Sequence, residues 1–287
     1  MTAMAEILMC PPTYYRIAYE INPWMSRRTP SQRRLAMHQW ARLRHLLEGQ
    51  GATVHCLAPR HELPDLVFTA NAALIYRDLA IPAHFRHPER QAEEPLVRAW
   101  LSAHGFRIDT LRDDVFFEGA GDALFCGNTL FAGYRIRSDV RGHREIGERL
   151  QCRVLPLELV DQRYYHLDTC FCPLTRDVAI YYPPAFDDYG RKVLSSMIDQ
   201  LIPVGAAEAA RFACNAVVLG RTVVTNTGCP QLHQELDQRG FMPVATPLSE
   251  FLKAGGSAKC LTLRLDGEEA AAWKAAEHRT AVRSGAQ

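Results

Sequence analysis

A single pattern recurs five times along the chain and constrains its fold more than any other feature. A segment of helical character ends near a glycine or a polar residue, and a short apolar strand follows it. The five strands that follow such endings are 51–57, 105–109, 151–157, 200–204 and 240–244. Each repeated unit leaves an apolar face that only a neighbouring unit can bury. The sequence therefore predicts an α/β fold of five units, which share this pattern and almost no residue identity.

The first unit contains a predicted strand at 6–10 and a predicted helix that starts at Thr29-Pro30, because proline suits the first helical turn. The helix is expected to end at about Gly49. Its apolar stripe consists of Ala36, Trp40, Leu43 and Leu47. Arginines lie in or near it at positions 27, 28, 33, 34, 42 and 44. We interpret these arginines as a solvated helix face, since the chain as a whole carries almost no net charge.

The charge balance and the cysteine pattern exclude several classes of protein. Lysine and arginine number 33 against 32 acidic residues, so the chain lacks the field that attracts nucleic acid or an anionic membrane. No apolar run has the length of a membrane span, and the N-terminal residues lack a secretory signal pattern. The nine cysteines are scattered without a C-x-x-C pair, which argues against disulfides and zinc. We therefore predict a cytoplasmic protein that requires no metal and no cofactor.

Distinctive polar residues follow the five predicted strands. They are Asp65, Asn71, Glu118, His166, Asp168, Asn215 and Cys260. If the five units surround a common axis, the segments that carry these residues converge on it. The sequence thus leads to the hypothesis of one polar site assembled from all five units.

Cys260 follows the pair Gly255-Gly256, and glycine allows backbone conformations and close approaches that side chains forbid. From Cys260 to Leu265, Cys, Thr and Arg alternate with three leucines, a pattern typical of a half-buried strand. We therefore expect Cys260 at the mouth of a rigid strand, with its sulfur directed in front of the sheet.

The residue types in this set suit covalent chemistry on a cation. A thiolate is the reactive form of cysteine and needs a base or a positive charge nearby, and histidine transfers protons near neutral pH. Several carboxylates beside one nucleophile would repel an anion but would bind a planar guanidinium by paired hydrogen bonds. The expected reaction is attack of Cys260 on the guanidinium carbon with loss of an amine. Water activated by His166 would then hydrolyse the adduct.

The same residues also have structural interpretations. Asp65 follows a proline and suits a turn cap, and the glycines of 118–122 suit a tight hairpin. His166 and Asp168 alternate as on a strand and are compatible with a satisfied structural pair. The candidates for turn or core positions are Asn22, Asn71, Cys170 and Cys172.

Three motifs, in this order, resemble the guanidino-group-modifying enzymes of the amidinotransferase superfamily. They are Phe117-Glu118-Gly119-Ala120-Gly121-Asp122, Tyr165-His166-Leu167-Asp168-Thr169 and Gly255-Gly256-Ser257-Ala258-Lys259-Cys260. The superfamily includes arginine deiminase, dimethylarginine dimethylaminohydrolase, glycine amidinotransferase and the bacterial arginine dihydrolases. The resemblance extends from Asn22 to Leu265. It implies a five-bladed α/β propeller (pentein) of ββαβ units with pseudo-fivefold symmetry, and we expect one domain over residues 1–287.

The resemblance also implies roles for individual residues. Cys260 is the expected nucleophile, His166 the general acid and base, and Glu118 and Asp168 the carboxylates that bind the guanidinium. The expected substrate-binding residues are Asn22, Asp65, Asn71, Arg90, Asp122, Arg137 and Asn215. Among them, the resemblance assigns Arg90 and Arg137 to the α-carboxylate of the substrate, with Arg135 as the alternative to Arg137.

The segments 22–25 and 68–72 look most like the arginine dihydrolases, which convert arginine to ornithine, ammonia and carbon dioxide. A dihydrolase must retain a neutral urea for a second attack, and the amide of Asn71 can hydrogen-bond it without charge. Dimethylarginine dimethylaminohydrolase and arginine deiminase, which yields citrulline, are the alternative activities. Cyanobacterial dihydrolases may carry a large C-terminal extension; this chain ends soon after Trp273, so we expect no such second activity.

Two further classes compete with a hydrolase. An amidinotransferase would pass the amidino group to an acceptor amine, but the sequence offers no clear second amine pocket. A non-catalytic propeller, similar to a ribosome anti-association factor, would lack the cysteine, the histidine and the carboxylates. The expected partner is therefore a small guanidino compound, arginine or a methylated arginine, bound by a monomer or a homo-oligomer.

Overall fold

The computed structural model describes residues 4–273, so the ends of the predicted 1–287 domain and the first three residues of the segment examined for a secretory signal lie outside it. The strands are β1 (Glu6–Met9), β2 (Thr53–Cys56), β3 (Ala73–Tyr76), β4 (Leu79–Pro82), β5 (Arg107–Ile108), β6 (Ala123–Cys126), β7 (Thr129–Tyr134), β8 (Arg153–Glu158), β9 (Phe171–Pro173), β10 (Val178–Tyr181), β11 (Gln200–Pro203), β12 (Val217–Leu219), β13 (Thr222–Asn226), β14 (Met242–Thr246) and β15 (Leu263–Arg264). The α-helices are α1 (Arg33–Gly49), α2 (Pro88–Gln91), α3 (Glu94–Ala103), α4 (Gly119–Asp122), α5 (Val140–Leu150), α6 (Asp188–Met197), α7 (Ala206–Ala209), α8 (Pro230–Gln238) and α9 (Ser249–Leu252).

These strands form five sheets of three strands each within residues 4–273. Four sheets follow chain order, and in each the first two strands are antiparallel and the third lies parallel to the second. A helix connects the second strand to the third, because a parallel pair needs a long crossover. The third strands are the five predicted from the sequence, so the prediction of a fivefold α/β repeat is confirmed.

The fifth sheet joins the two ends of the described chain. Strand β1 pairs parallel with β2 and antiparallel with β15, with Leu8 opposite Leu263. The same ββαβ arrangement thus arises from strands that are far apart in sequence. As a consequence, the loop that carries Cys260 is fixed against the N-terminal strand.

Helix α1 confirms the predicted apolar stripe, since Ala36, Trp40, Leu43 and Leu47 are all buried. It begins at Arg33 and not at Thr29-Pro30, because the backbone N–H of Gln32 donates to the Glu250 carboxylate at 2.6 Å and fixes the N-terminus there. The arginines of this region are exposed except Arg44, which is half-buried and pairs with Glu48. Their interpretation as a solvated face is confirmed.

Apolar side chains fill the spaces between neighbouring sheets. Phe131 of β7 packs on Phe171 of β9 with ring centroids 5.4 Å apart, and each side chain is fully buried. Burial of one such ring stabilises the fold by about 2 kcal/mol. No helix among residues 4–273 is long and apolar enough to cross a membrane.

The predicted strand from Cys260 to Leu265 is wrong for most of its length. Only Leu263–Arg264 is a strand, and Cys260 lies in a turn. The hydroxyl of Thr262 donates to the carbonyl oxygens of Ala258 and Lys259 at 3.2 and 3.0 Å, and such local bonds compete with strand pairing. Both faces of the segment are buried, so its alternation does not mark a solvent-facing side.

Two of the alternative structural interpretations are corrected. His166 and Asp168 do not alternate on a strand, because Leu167–Thr169 forms one turn of 3₁₀-helix in which the Thr169 hydroxyl bonds the carbonyl of His166 at 2.6 Å. The glycine segment after Glu118 is the short helix α4 and not a hairpin. Both turns direct polar side chains inward.

Candidate active site

Six of the eleven predicted site residues line one cavity. They are Asn22, Asp65, Asn71, Arg90, Arg137 and Cys260. Four more make a hydrogen bond or ion pair to a member of that set: Glu118, His166, Asp168 and Asn215. The structure thus brings together residues that the five sheets carry into one place.

The thiol of Cys260 is held by an asparagine and a carboxylate. Its Sγ lies 3.1 Å from Nδ2 of Asn215 and 3.4 Å from Oδ2 of Asp168. Asn215 also accepts from the Cys260 backbone N–H at 3.1 Å and donates to the Asp168 carbonyl at 3.0 Å. One amide therefore fixes both the sulfur and the segment of the carboxylate beside it.

The glycine pair before Cys260 is required by close packing. Gly255 has φ +79°, and a Cβ on Gly256 would lie 2.5 Å from the ring of Phe68. Any side chain at Gly256 would push the loop away from that ring, which itself lines the cavity. The two glycines thus allow the loop to pack closely on the Phe68 ring and so position the thiol, as the sequence suggested.

His166 is oriented by two hydrogen-bond partners, one an acceptor and the other a donor. Its Nε2 lies 2.6 Å from Oε2 of Glu118 and its Nδ1 lies 3.3 Å from Nδ2 of Asn71. Asn71 is itself oriented, because its Oδ1 accepts from Arg90 at 2.9 Å and a guanidinium only donates. Its amide nitrogen therefore faces the imidazole and donates to Nδ1. It follows that Nε2 carries the proton and donates to Glu118, which leaves Nδ1 as the acceptor.

A profile of the family described as N,N dimethylarginine dimethylhydrolase, eukaryotic, matches residues 21–266. The chain belongs to this family. Its relatives include the dimethylarginine dimethylaminohydrolase of Mycobacterium tuberculosis, at 42% identity over 90% of this chain and 84% of that protein. The family resemblance inferred from the three motifs is confirmed.

Another relative is the bifunctional arginine dihydrolase/ornithine cyclodeaminase AgrE of Nostoc sp., at 44% identity over 92% of this chain and 38% of that protein. The chain thus spans about two fifths of the length of AgrE. Among solved structures, the N-terminal domain of ArgZ, a cyanobacterial arginine dihydrolase, was crystallised as a variant bound to substrate. It superposes with a TM-score of 0.89 at 43% identity, covering 93% of this chain and 99% of that one.

Two fully buried carboxylates contact the candidate residues directly, Asp168 at Cys260 and Glu118 at His166, and they differ in charge environment. Burial raises the pKa of Glu118, but Arg137 at 3.2 Å and the hydrogen bond from His166 outweigh it, so the net pKa lies well below the usual range. Burial raises the pKa of Asp168 to about 7. Its Oδ1 has no hydrogen-bond partner within residues 4–273.

Cys260 is protonated in this arrangement. Burial raises the pKa of its thiol well above the ordinary value, and the negative charge of Asp168 raises it further. A cation placed between the thiol and the carboxylate would reverse this effect. A cation in that position would therefore favour the reactive thiolate.

The two predicted carboxylate-binding arginines are both buried at the cavity. Arg137 donates to the Ile21 carbonyl at 2.8 Å, and its guanidinium carbon lies 4.6 Å from the ring centre of Tyr165. Arg135, the alternative, pairs with Glu158 and is exposed. The structure thus brings Arg137, and not Arg135, to the cavity.

Three predicted residues have particular surroundings. Asp65 is buried with Oδ1 unpartnered among the described residues, and it makes no cap hydrogen bond in its 3₁₀-turn. Asn22 closes a turn by accepting from the backbone N–H groups of Trp24 and Met25, and it also donates to a carbonyl. Asp122 does not line the cavity; it accepts from the Ser138 hydroxyl at 2.6 Å and from a backbone N–H at 3.0 Å.

Two charged residues at the site were not predicted from the sequence. The Glu93 carboxylate accepts two hydrogen bonds from Arg90, from Nε at 3.0 Å and from Nη2 at 2.7 Å, and the short spacing of the two residues in the chain was an available signal. Lys259 pairs with Glu268 at 2.5 Å. Its position next to Cys260 was the only sequence signal for a role there.

Proposed function

We propose that this chain hydrolyses the guanidinium group of L-arginine through a covalent adduct on Cys260 and continues to ornithine, ammonia and carbon dioxide. The observation that carries the proposal is the contact of the Cys260 thiol with the Asp168 carboxylate, in a buried site that also holds the His166–Glu118 pair. The names of AgrE and the ArgZ domain, arginine dihydrolases, support the same substrate.

In the first round, the arginine guanidinium lies between Glu118 and Asp168, which suit its planar donors. Its positive charge lowers the pKa of the Cys260 thiol, whose proton passes to Nδ1 of His166, and the thiolate forms a C–S bond with the guanidinium carbon. A terminal C–N bond then breaks, and that nitrogen leaves as ammonia after taking the proton from Nδ1 of His166. A water molecule attacks the adduct and gives one proton to Nδ1 of His166; the C–S bond breaks, and the second proton passes from the new hydroxyl to the sulfur, which restores the thiol and yields citrulline.

His166 suits both proton transfers because its Nδ1 accepts while its Nε2–H is anchored on Glu118. A carboxylate partner stabilises the imidazolium that forms when Nδ1 takes a proton. Arg90 and Arg137 would bind the α-carboxylate of the substrate from the same cavity wall. This arrangement explains the presence of two buried arginines in a site for a cation.

The second round takes bound citrulline to ornithine, with water consumed and ammonia and carbon dioxide released. The ureido group of citrulline is neutral, so charge does not hold it against the carboxylates. Asn71 lines the cavity with its oxygen occupied by Arg90, which leaves its NH₂ as a donor for the ureido oxygen. This uncharged donor favours a dihydrolase over a deiminase.

Dimethylarginine is the second candidate substrate, because the matched family and the relative of M. tuberculosis carry that activity in their names. Its methylated guanidinium is also a cation and would bind to the same carboxylates. An amidinotransferase reaction would in contrast need an acceptor amine, and incubation with arginine alone separates it from hydrolysis.

We further infer that the five sheets surround one axis as a five-bladed propeller with pseudo-fivefold symmetry, forming a single domain. The convergence of residues from different sheets on one cavity supports this arrangement. The nine free cysteines suit a reducing cytoplasm, and a homo-oligomer is compatible with the fold.

Product analysis after incubation with L-arginine tests the proposal, with ornithine, citrulline and ammonia followed together. Ornithine with two ammonia per arginine supports the dihydrolase, whereas citrulline alone would establish a deiminase. Turnover of dimethylarginine without turnover of arginine would replace the proposed substrate. The Asn71→Asp variant tests the amide directly: an unchanged ornithine-to-citrulline ratio would contradict its assigned part in the second round.

A further inference from the structure

Asp122 and Ser138 form a buried hydrogen-bonded pair next to the site. Each residue is only 1% exposed, and neither lines the cavity that Cys260 shares with Arg137. The Ser138 hydroxyl donates to Oδ2 of Asp122 at 2.6 Å. No step of the proposed reaction involves either residue, so their close contact needs another explanation.

The Ser138 hydroxyl fixes the backbone of Glu118. A backbone N–H can only donate, so the Glu118 N–H donates to Oγ of Ser138 at 3.0 Å, and the hydroxyl proton is left for Asp122. The side chain of Glu118 is held by Arg137, the neighbour of Ser138 in the chain, at 3.2 Å. One short segment thus holds both the main chain and the carboxylate of Glu118.

The Asp122 carboxylate fixes the turn that carries His166 and Asp168. Its Oδ1 accepts from the backbone N–H of Leu167, which lies between those two residues, at 3.0 Å. Gly133 packs against this bond, since a Cβ there would lie 3.1 Å from the same oxygen. Burial raises the pKa of Asp122 to about 6, so the carboxylate is ionised at pH 8 and both of its oxygens accept. One oxygen therefore holds each half of the site.

These contacts close a ring of hydrogen bonds. The ring starts at the Glu118 N–H and passes through Ser138 to Asp122. It continues through the Leu167 N–H to the neighbouring His166, whose Nε2 lies 2.6 Å from the Glu118 carboxylate. The members of such a network stabilise one another, so a change at Asp122 reaches the contact between the imidazole and Glu118.

We propose that Asp122 is a positioning residue that acts through Ser138. It sets the distance between Glu118 and the turn of residues 166–168, and with it the orientation of the imidazole that transfers protons in the proposed reaction. This part takes the place of the substrate contact that the family resemblance implies for Asp122. The inference rests on the proposed function only for the expected loss of turnover, because the geometry of His166 can be measured without substrate.

Two variants that break the ring test the proposal. Asp122→Ala removes both carboxylate oxygens, and Ser138→Ala removes the acceptor of the Glu118 N–H. In protein labelled with ¹⁵N-histidine at pH 8, either change should shift the Nε2–H resonance of His166, or divide it between two tautomers. The His166→Gln variant identifies that resonance. In both alanine variants kcat for arginine should fall by about 100-fold, with a smaller change in KM.

Conservative variants keep the connection and should restore most of the wild-type behaviour. In Asp122→Asn the amide oxygen can accept from the Leu167 N–H while the NH₂ group donates to Oγ of Ser138, and Ser138→Thr keeps the hydroxyl. Both should retain the wild-type resonance of His166 and lose much less kcat than the alanine variants. Because the two residues act through one connection, the double alanine variant should lose no more kcat than the more impaired single variant.

A matched control separates positioning from a general loss of stability. Asp187 caps α6 by accepting from the Gly190 N–H at 2.8 Å and is not a member of the ring. Asp187→Ala should therefore destabilise the protein and leave both the His166 resonance and kcat unchanged. Ser138→Ala removes a single oxygen and provides the test if Asp122→Ala does not fold.

An unchanged His166 resonance in the alanine variants would overturn the inference, as would losses of kcat that add in the double variant. A shifted resonance in the alanine variants would support it even if the wild-type protein did not turn over arginine. That combination would place the failure in the proposed function and not in the part assigned to Asp122.

Discussion

Glu118 and Asp168 are both fully buried carboxylates of one site, yet their pKa values are shifted in opposite directions. Glu118 contacts a guanidinium and an imidazole N–H, and its pKa lies well below the usual range. Asp168 contacts a thiol, has one oxygen unpartnered within residues 4–273, and has a pKa raised to about 7. Burial acts on both in the same direction, so the difference comes from the groups in direct contact.

The comparison shows how one site can divide its tasks. The Glu118 side is already neutralised by Arg137 and is fit to hold His166 in one tautomer. Within residues 4–273 no cation makes an ion pair with Asp168, so in the proposed reaction this side would receive the substrate cation. A site of two equally paired carboxylates would have little affinity left for a guanidinium.

The largest effect is expected from a substitution that removes the nucleophile and leaves both carboxylates in place. Cys260→Ser should lower kcat for arginine by about 10⁴-fold or more, since a hydroxyl in this position is a far weaker nucleophile. Isothermal titration should still detect arginine binding by the variant. Turnover above a tenth of the wild-type rate would show that the reaction does not proceed through Cys260.

Substitutions of the two carboxylates should change the free energy of unfolding in opposite directions. Glu118→Gln leaves Arg137 buried without its counter-ion and should lower the free energy of unfolding by about 3 kcal/mol. Asp168→Asn removes a buried charge that is unfavourable above pH 7, and should raise the free energy of unfolding at pH 8 by about 2 kcal/mol. Urea unfolding without substrate measures both.

Both substitutions should lower kcat/KM for arginine by about 100-fold or more, because each removes a partner of the guanidinium or of His166. Activity alone would therefore not distinguish them. Equal losses of stability in the two variants would contradict the difference in charge environment.

A smaller effect is expected from the backbone next to Glu118. A Cβ on Gly121 would lie 2.2 Å from Nδ2 of Asn71, so Gly121→Ala should displace the amide that faces His166. We expect a loss of kcat of about 10-fold to 100-fold and a larger share of citrulline among the products. Gly49→Ala is the matched control, since no atom lies within 4 Å of a Cβ there. Unchanged products in Gly121→Ala would remove Asn71 from the proposed second round.

The smallest expected effect is that of pH. As pH falls through about 7, Asp168 takes a proton and no longer attracts a cation, so kcat/KM should fall about tenfold per unit at more acidic pH. Glu118 stays ionised throughout this window because its pKa is lowered. A pH profile of kcat/KM measures this decrease at acidic pH, which should be absent from the residual activity of the Asp168→Asn variant. If the decrease persisted in that variant, a group other than Asp168 would be responsible for it.

Local pattern was enough to predict much of this protein. The alternation of helical and strand segments predicted the five third strands, and the seven polar residues that follow them are all found at one site. Motif order was enough to recognise the family. These features follow from hydrophobic periodicity and turn-forming residues, which act over a few positions of the chain.

Other features depend on residues that meet only after folding. The turn at Cys260, the choice of Arg137 over Arg135 and the pairing of Arg90 with Glu93 were not decided by local pattern. The opposite directions of the pKa shifts of Glu118 and Asp168 were equally hidden, since a pKa depends on burial and on charges brought close by distant segments. The sequence by itself determined the repeat, the family and the residue types of the site, whereas tertiary contacts alone decided their directions and their charges, because electrostatic interaction acts through space and not along the chain.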